Sequence, residues 1–528
     1  MNLEQIIKKI TVDDLEFNAL EFGVSNPEGR FLDLEISDII IDSRLAKENA
    51  VFFALPSKSG GNDGSKYIID AVLRGTKIVI CGLNDSSPDL NNPSPLSLSR
   101  KGRGKNGGEE FVLIRTKDPY KLLIKFLKAF YFELPKNLYA ITGTNGKTSI
   151  AEFVRQILNL LGKKSASIGT LGIISNTDLG LDLNDSGLTT PDIASLYKNL
   201  HILKSKGIDD VVLEASSIGL EQERMAGIEI KVGGFSNFTQ DHLDYHQNMA
   251  DYFAAKMLLF TKQMKSGAIA VLNADIAEYG AIKKICLAQR QRIISYGFNG
   301  DDFKIISSMI KDQQAEINFI YQGQNYQIKW QILAEFQISN ILCALAMVAL
   351  NYNLNHQELL ALLERFSSLK PALGRMQKIA SLKNNAQIFI DFAHSPDALE
   401  NTLKFARKLT AAKLIVLFGC GGNRDAQKRP IMGKIASNLA DLIIITDDNP
   451  RNEDPKKIKK QILTGCNQEK TIIIEGRKLA IKSAIEMLEE NDILILAGKG
   501  HEKYQIIGDQ KLPFDEERIV LENLDRLN

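Results

Sequence analysis

The chain has 528 residues, enough for about three domains, and its 44 % hydrophobic and 24 % charged content is that of an ordinary soluble globular protein. A net charge of +1 favours no class of partner and lacks the footprint of a dedicated nucleic-acid binder; no apolar run approaches the ~20 residues that span a bilayer. Met1-Asn-Leu-Glu-Gln5 lacks the basic-then-apolar layout of a signal peptide, and Cys81, Cys286, Cys343, Cys420 and Cys466 lack metal-ligand spacing, which predicts free thiols in a reducing cytoplasm.

Residues 1–136 read as a small α/β unit. Its clearest segments are Ile39-Ile-Ile-Asp-Ser-Arg44, a strand over Val51–Leu55 and a turn at Asn62-Asp-Gly-Ser65. Strand ends carrying Asp, Ser and Arg suit hydrogen bonding to a polar ligand, and they serve a capped turn equally well. From residue 84 to 110 the composition changes to Ser, Pro, Asn and Gly around Arg100-Lys-Gly-Arg-Gly-Lys105. Such a segment buries too little apolar surface to order itself, so a disordered insertion is expected, its basic run a solvated loop rather than a nucleic-acid site.

A central unit is expected over 137–370. It opens with an apolar strand, Leu138–Ile141, a turn containing Gly143 and Gly146, and a helix-spaced stretch from Ile150 to Leu161. That order builds a phosphate cradle, in which the glycines turn the backbone amides and the helix N-terminus toward an anion. Lys147 is placed to reach the outer phosphates and Thr148 to ligate a magnesium ion that bridges them. The first glycine of the usual P-loop is replaced by Ile141, leaving the shortened form Gly-x-x-Gly-Lys-Thr; on this stretch alone, an ordinary Gly-Lys turn is the alternative.

Downstream, Gly187-Leu-Thr-Thr-Pro-Asp192 opens a helix, with Thr190 expected to cap it. The strand within Asp209–Ser217 delivers Glu214 and two serines to its C-terminal end, the ligand-binding edge of open α/β sheets. Val232–Asn237 leads into Asp241-His-Leu-Asp-Tyr-His246, and Tyr252-Phe-Ala-Ala-Lys256 starts an amphipathic helix. Glu214 and His242 are candidate magnesium ligands, although this hard ion prefers oxygen, and a lone histidine is more often structural.

Over 371–528 the α/β alternation resumes, with strands at Ile388–Ile390, Leu414–Phe418, Leu442–Ile445, Thr471–Ile474 and Ile493–Leu496. Short β-branched runs between helices predict a parallel sheet covered on both faces. Polar residues gather just after these strands, at Asp391–Pro396, Gly419–Asp425, Thr446–Arg451 and Gly498–Glu502, and suit a ligand carrying both charges, such as an amino acid.

Eight segments in order resemble the Mur ligases, ATP-dependent amide-forming enzymes of peptidoglycan precursor synthesis. They are Thr142-Gly-Thr-Asn-Gly-Lys-Thr148, Glu214-Ala-Ser-Ser217, Asp241–His246, Tyr252-x-x-Ala-Lys256, Gly374-Arg-Met376, Asp391-Phe-Ala-His-Ser-Pro396, Asp448-Asn-Pro-Arg451 and Gly498-Lys-Gly-His-Glu502. The resemblance covers nearly the whole chain apart from the insertion and is closest to the branch that adds the third residue. It implies a three-domain α/β architecture: an N-terminal domain for the UDP-linked substrate, a central P-loop ATPase-like domain and a C-terminal Rossmann-like, amino-acid-binding domain.

The resemblance also implies roles. Gly143, Thr144, Asn145, Gly146, Lys147, Thr148 and Ser149 would bind ATP, with Asn340 on the adenine side, Arg375 near the phosphates and Asp391 at the ribose. Thr148 and Glu214 would hold one Mg2+ and His242 a second, which Lys256, carbamylated to N6-carboxylysine, would support. Lys147, Lys256, His242 and Glu214 form the implied catalytic set. Ile41 and Ser43 would meet the uridine nucleotide, and Thr189, Thr190, Ser216, Gln222 and Arg224 the muramoyl-dipeptide, of UDP-N-acetylmuramoyl-L-alanyl-D-glutamate. Arg424, Asp448, Asn449, Pro450, Arg451, Gly498 and Glu502 would bind meso-2,6-diaminopimelate, with Arg451 on its far carboxylate, an arginine that lysine-adding relatives lack. Ile218, Gln337 and Gln377 depart from the family's His, Asn and Glu, and none of these removes a core catalytic group. The implied reaction passes through an acyl phosphate. A ligase adding L-lysine, a folylpolyglutamate synthase and a regulatory module without catalysis are the rival readings.

Overall fold

The computed structural model describes residues 1–12, 23–24, 32–56, 63–83, 111–180, 187–311, 314–331 and 335–527. The expected insertion at 84–110, and Asn62, lie outside the described residues. Among the described residues three large sheets follow one another along the chain with helices between their strands, and a two-stranded sheet of Tyr504–Ile507 and Gln510–Pro513 comes after them, in agreement with the expected α/β class.

The first sheet has five strands in the order Gly23–Val24, Val112–Thr116, Ile78–Gly82, Ala50–Phe53, Asp38–Ile40. The Pro119–Phe130 helix follows; its buried face of Leu122, Leu123, Phe126 and Leu127 packs into the same core as the Asn137–Thr142 strand of the next unit.

The central sheet has ten strands. Its parallel part places Asn137–Thr142 between Asp210–Glu214 and Ile230–Phe235, with connections leaving to either side. Register decides what meets at the edge: Ile141 stands opposite Glu214 and Thr142 opposite Phe235, so the loops after all three strands emerge together. Beyond the parallel part, Phe303–Lys311, Gln314–Tyr321 and Gln324–Gln331 form an antiparallel meander. Its inward residues, including Phe319, Tyr326 and Trp330, are buried, and Trp330 meets Phe153 edge-on at 5.1 Å.

The third sheet runs Gln377–Ser381, Gln387–Asp391, Ile493–Ala497, Leu414–Phe418, Leu442–Ile445, Thr471–Ile473. All five expected strands are present. The sheet is not wholly parallel, because Gln377–Ser381 joins its edge antiparallel to Gln387–Asp391. A second correction concerns Thr190. The Ile193–Ser205 helix is capped by Asp192, whose carboxylate accepts the amide of Ser195, while the Thr190 hydroxyl is engaged with the Glu214 carbonyl. The five cysteines are free, as expected.

Candidate active site

The turn after Asn137–Thr142 shows why the sequence places glycine where it does. Gly143 has φ 139°, and a Cβ there would stand 2.0 Å from Ser236 Oγ. Gly146, at φ 87°, begins the Lys147–Leu160 helix, and its Cβ would stand 2.6 Å from Asn340 Oδ1. Side chains would fill the cradle from both ends. The loop is pinned from the neighbouring strand end, with Asn145 N donating to Asn237 Oδ1 at 2.8 Å, Thr144 N to Asn237 O at 2.9 Å, and Ser236 Oγ to Asn145 O at 2.6 Å. Lys147 Nζ lies along the loop, 2.9 Å from Gly143 O and 2.8 Å from Thr144 O. The Ser149 hydroxyl faces the helix packing instead, accepting from Gln337, which in turn accepts from Asn340.

At the start of the same helix, Thr148 Oγ1 donates to Glu214 Oε2 at 2.9 Å. The Thr170 amide and hydroxyl donate to the two oxygens of that carboxylate, and Gly169 lacks a Cβ where Glu214 Oε1 would be 2.1 Å away. Burial pushes the Glu214 carboxyl up, opposed by the charges of Lys147 and Arg375. Arg375 arrives from the third unit, donating to Thr148 Oγ1 at 3.1 Å and lying over the Phe392 ring. Asp391 holds that segment, accepting Met376 N at 2.6 Å, Ala393 N at 2.8 Å and Thr402 Oγ1 at 3.1 Å.

The second candidate metal position gathers His242, Asp241 and Lys256. His242 has φ 55°, its amide donates to Asp241 Oδ1, and its Nε2 is 3.7 Å from Asp241 Oδ2; His394 Nε2 from the third unit is 3.9 Å from the same oxygen. Desolvation outweighs the attraction of Asp241 and pulls the His242 imidazole down to about 4, so at neutral pH it has a lone pair to offer. Lys256 is buried, donates to Gly143 O at 2.7 Å and lies 4.2 Å over the Tyr252 ring. Burial, and then the charge of Lys147, hold its ammonium well below the usual lysine value.

The expected dipeptide residues form one connected set. Thr170 Oγ1 and Thr189 Oγ1 are 3.1 Å apart, and Thr190 Oγ1 is 2.9 Å from Ser216 Oγ. Arg224 donates to Thr190 O and Gln222 Oε1, and Gln222 donates to Tyr245 OH. The two expected uridine residues diverge. Ile41 lines a cleft between the first and central units with Asp38, Leu45, Lys47, Asp192 and Lys198, whereas Ser43 is buried and donates to Asp70 Oδ2 at 2.8 Å.

In the third unit, strand register brings four loops to one edge, since Asp391 stands opposite Ala497 and Phe418 opposite Ile445. Asn449 Nδ2 donates to Glu502 Oε2 at 2.9 Å. Gly498, at φ 113°, lets the backbone pass Asp448, whose Oδ2 would be 2.8 Å from a Cβ. After Pro450, Arg451 takes a left-handed φ of 51° and donates from Nη1 to Gly422 O at 3.0 Å. Arg424 is half exposed and reaches back to Asp244 of the central unit at 3.7 Å.

Residues 141–348 match the Mur ligase middle domain, and residues 374–500 the Mur ligase glutamate ligase domain. A relative in Rickettsia montanensis, the UDP-N-acetylmuramoyl-L-alanyl-D-glutamate–2,6-diaminopimelate ligase, is 39 % identical over 492 residues, covering 92 % of this chain and 95 % of the relative. The chain belongs to the Mur ligase family. A solved structure of a UDP-N-acetylmuramoyl-L-alanyl-D-glutamate–2,6-diaminopimelate ligase is 28 % identical with a TM-score of 0.60, covering 95 % of this chain and 97 % of that one. MurF from Thermotoga maritima, solved with ADP, shares the fold at 17 % identity and a TM-score of 0.60, covering 94 % and 98 %.

This Mur ligase accommodates its departures locally. Gln337 bridges Ser149 and Asn340 behind the phosphate loop, and Gln377 Oε1 accepts the Gly374 amide at 3.0 Å beside Arg375. Ile218 sits in the short Ser217–Glu221 helix. Several site residues had no assigned role in the sequence reading. Asp241 and His394 lie inside segments already singled out, so proximity to His242 and Asp391 was a usable signal. Thr170, Ser236 and Asn237 carried none that separated them from ordinary loop residues.

Proposed function

We propose that this Mur ligase joins meso-2,6-diaminopimelate to UDP-N-acetylmuramoyl-L-alanyl-D-glutamate at the expense of ATP. The observation that carries the reading is the match over 92 % of the chain to relatives of that name. The site geometry supports it, with a phosphate loop, a threonine-linked set and a pocket of mixed charge at adjoining sheet edges.

The residues fit magnesium. Thr148 Oγ1 and Glu214 Oε2 converge as hard oxygen donors at the loop, and His242 and carbamylated Lys256 would serve a second ion. Among the described residues no group of three or more His, Cys, Asp or Glu is arranged to hold an ion by itself, so such an ion would take further oxygens from phosphate and water. Bound there, magnesium neutralises charge on the phosphates.

The chain's own residues do the rest. The loop amides and Lys147 hold the ATP phosphates, and Arg375 adds a cation from the third unit. The Thr190–Ser216–Arg224 set would orient the D-glutamyl carboxylate for transfer of the γ-phosphoryl group, breaking its bond to ADP and giving an acyl phosphate. With the far end of diaminopimelate held at Asn449, Arg451 and Glu502, the amine at its other end then attacks the carbonyl carbon. The C–N bond forms, the C–O bond to phosphate breaks, and inorganic phosphate leaves while the amine loses a proton. Enclosure between the units would keep water from the acyl phosphate.

The test is phosphate release from ATP with UDP-N-acetylmuramoyl-L-alanyl-D-glutamate, comparing meso-diaminopimelate, L-lysine and no amino acid. Robust turnover with diaminopimelate and little with lysine is expected. Equal use of both overturns the diaminopimelate assignment.

A further inference from the structure

Lys499 is completely buried, yet it lies in none of the roles described so far. Its ammonium donates to Asn449 Oδ1 at 3.0 Å and to Glu502 Oε2 at 3.0 Å. Asn449 Nδ2 donates to the same Glu502 oxygen at 2.9 Å, which closes a triangle. Asn449 Oδ1 also accepts the Ile506 amide at 3.0 Å, so the asparagine amide is fixed in one orientation. Both partners of Lys499 therefore belong to the polar side chains that the diaminopimelate reading places against the amino acid.

A fully desolvated ammonium is a costly way to brace a fold, because an apolar side chain of similar volume would pack there without losing hydration. The arrangement gains something an apolar residue cannot supply. Glu502 Oε2 is taken up by two donors, while Oε1 accepts no hydrogen bond among the described residues, and the side chain remains 17 % exposed. One oxygen is anchored and the other is available to a ligand.

We propose that Lys499 is a positioning residue for the amino-acid substrate, anchoring Glu502 Oε2 and Asn449 so that Glu502 Oε1 receives the distal ammonium of diaminopimelate. This rests on the diaminopimelate reading above. Without Lys499, Glu502 Oε2 would lose one of its two donors and the carboxylate would sway.

The experiment is steady-state kinetics of Lys499→Met, Glu502→Gln and the double variant, with each of the three substrates varied in turn. Lys499→Met should raise the KM for meso-diaminopimelate on the order of 30-fold or more, as loss of one partner of a buried charged hydrogen bond does, and leave the KM for ATP unchanged. The double variant should be no worse than Glu502→Gln alone, because the lysine acts through the glutamate. A purely structural lysine would instead disturb all three KM values together. Should Lys499→Met be insoluble, Lys499→Gln, which keeps a donor without the charge, is read in the same way. An unchanged diaminopimelate KM, an equal rise in all three KM values, or additive effects in the double variant would overturn the proposal. An unaltered enzyme with no diaminopimelate-dependent turnover would instead overturn the functional reading, and this one with it.

Discussion

A lysine only 1 % exposed and close to the cation of Lys147 holds its proton weakly, and Lys256 is such a lysine. The neutral amine is the form that adds carbon dioxide, so burial prepares the carbamate that the family resemblance implies. Lys256→Ala should abolish ligation while ATP binding, measured by calorimetry, stays within a few-fold; short carboxylates added to the variant should restore part of the activity. Full turnover of the variant without additive would remove the carbamate role. Arg451 is argued at the same scale. Its left-handed backbone and its bond to Gly422 O hold the guanidinium near Asn449, where it can meet the far carboxylate of diaminopimelate. Arg451→Ala should raise the diaminopimelate KM by the equivalent of about 2–5 kcal/mol, the cost of truncating one partner of a buried charge pair. A change under threefold would place the carboxylate elsewhere.

At the scale of elements, the phosphate loop is a strand, a turn and a helix whose geometry leaves no room for a side chain at two positions. Gly146→Ala combines a φ of 87° with a Cβ 2.6 Å from Asn340 Oδ1, and Gly143→Ala places its Cβ 2.0 Å from Ser236 Oγ. Each should weaken ATP binding at least tenfold and cost about 1–3 kcal/mol of stability, readable in titration calorimetry and thermal melts. This element was legible in the sequence because glycine spacing, an apolar strand and a helix-period run coincide within residues 138–161. The five strands of the third sheet were legible for a similar reason, as short β-branched runs, four of them followed by polar clusters. The meander over Phe303–Gln331 was missed, although Ala315, Ile317, Phe319 and Tyr321 alternate with polar residues in the period of a half-buried strand. Thr190 was misread because a threonine before a helix resembles a cap. Only the tertiary position of Glu214, distant in sequence, shows that its hydroxyl is engaged there while Asp192 does the capping.

On the scale of the whole molecule, the site exists only because three units bring their edges together, and a few polar bonds between them set that arrangement. Asn145 of the phosphate loop donates to Asp397 of the third unit at 2.7 Å, and Arg375 returns to Thr148. The first unit is tied to the second through Asp38, a buried carboxylate that accepts Tyr131 OH at 2.8 Å and pairs with Lys198 at 2.5 Å and with Lys47 at 3.0 Å. Burial alone would raise the Asp38 carboxyl, but the hydrogen bonds and charge of Lys198, then Lys47 and Tyr131, hold it below the usual carboxylate value. A carboxyl depressed in the folded state stabilises above its unfolded pKa of about 3.9, and that contribution fades as pH falls through the lower folded value. The Asp38 contribution should therefore be constant across neutral pH and fade only in acid. Asp38→Ala leaves the buried Tyr131 hydroxyl without this acceptor and two partly exposed lysines without their anion, which should cost about 2–3 kcal/mol. Because Asp38 sits at the start of the strand leading to Ile41, and Lys198 lies on the helix that follows Thr190, the same change should loosen the two halves of the proposed UDP-substrate site relative to each other. The expected outcome is a KM for UDP-N-acetylmuramoyl-L-alanyl-D-glutamate raised at least fivefold, with the KM for ATP unchanged and an earlier separate unfolding step for the first unit in calorimetry. A single unaltered transition together with an unaltered substrate KM would show that the two units are held by apolar packing alone.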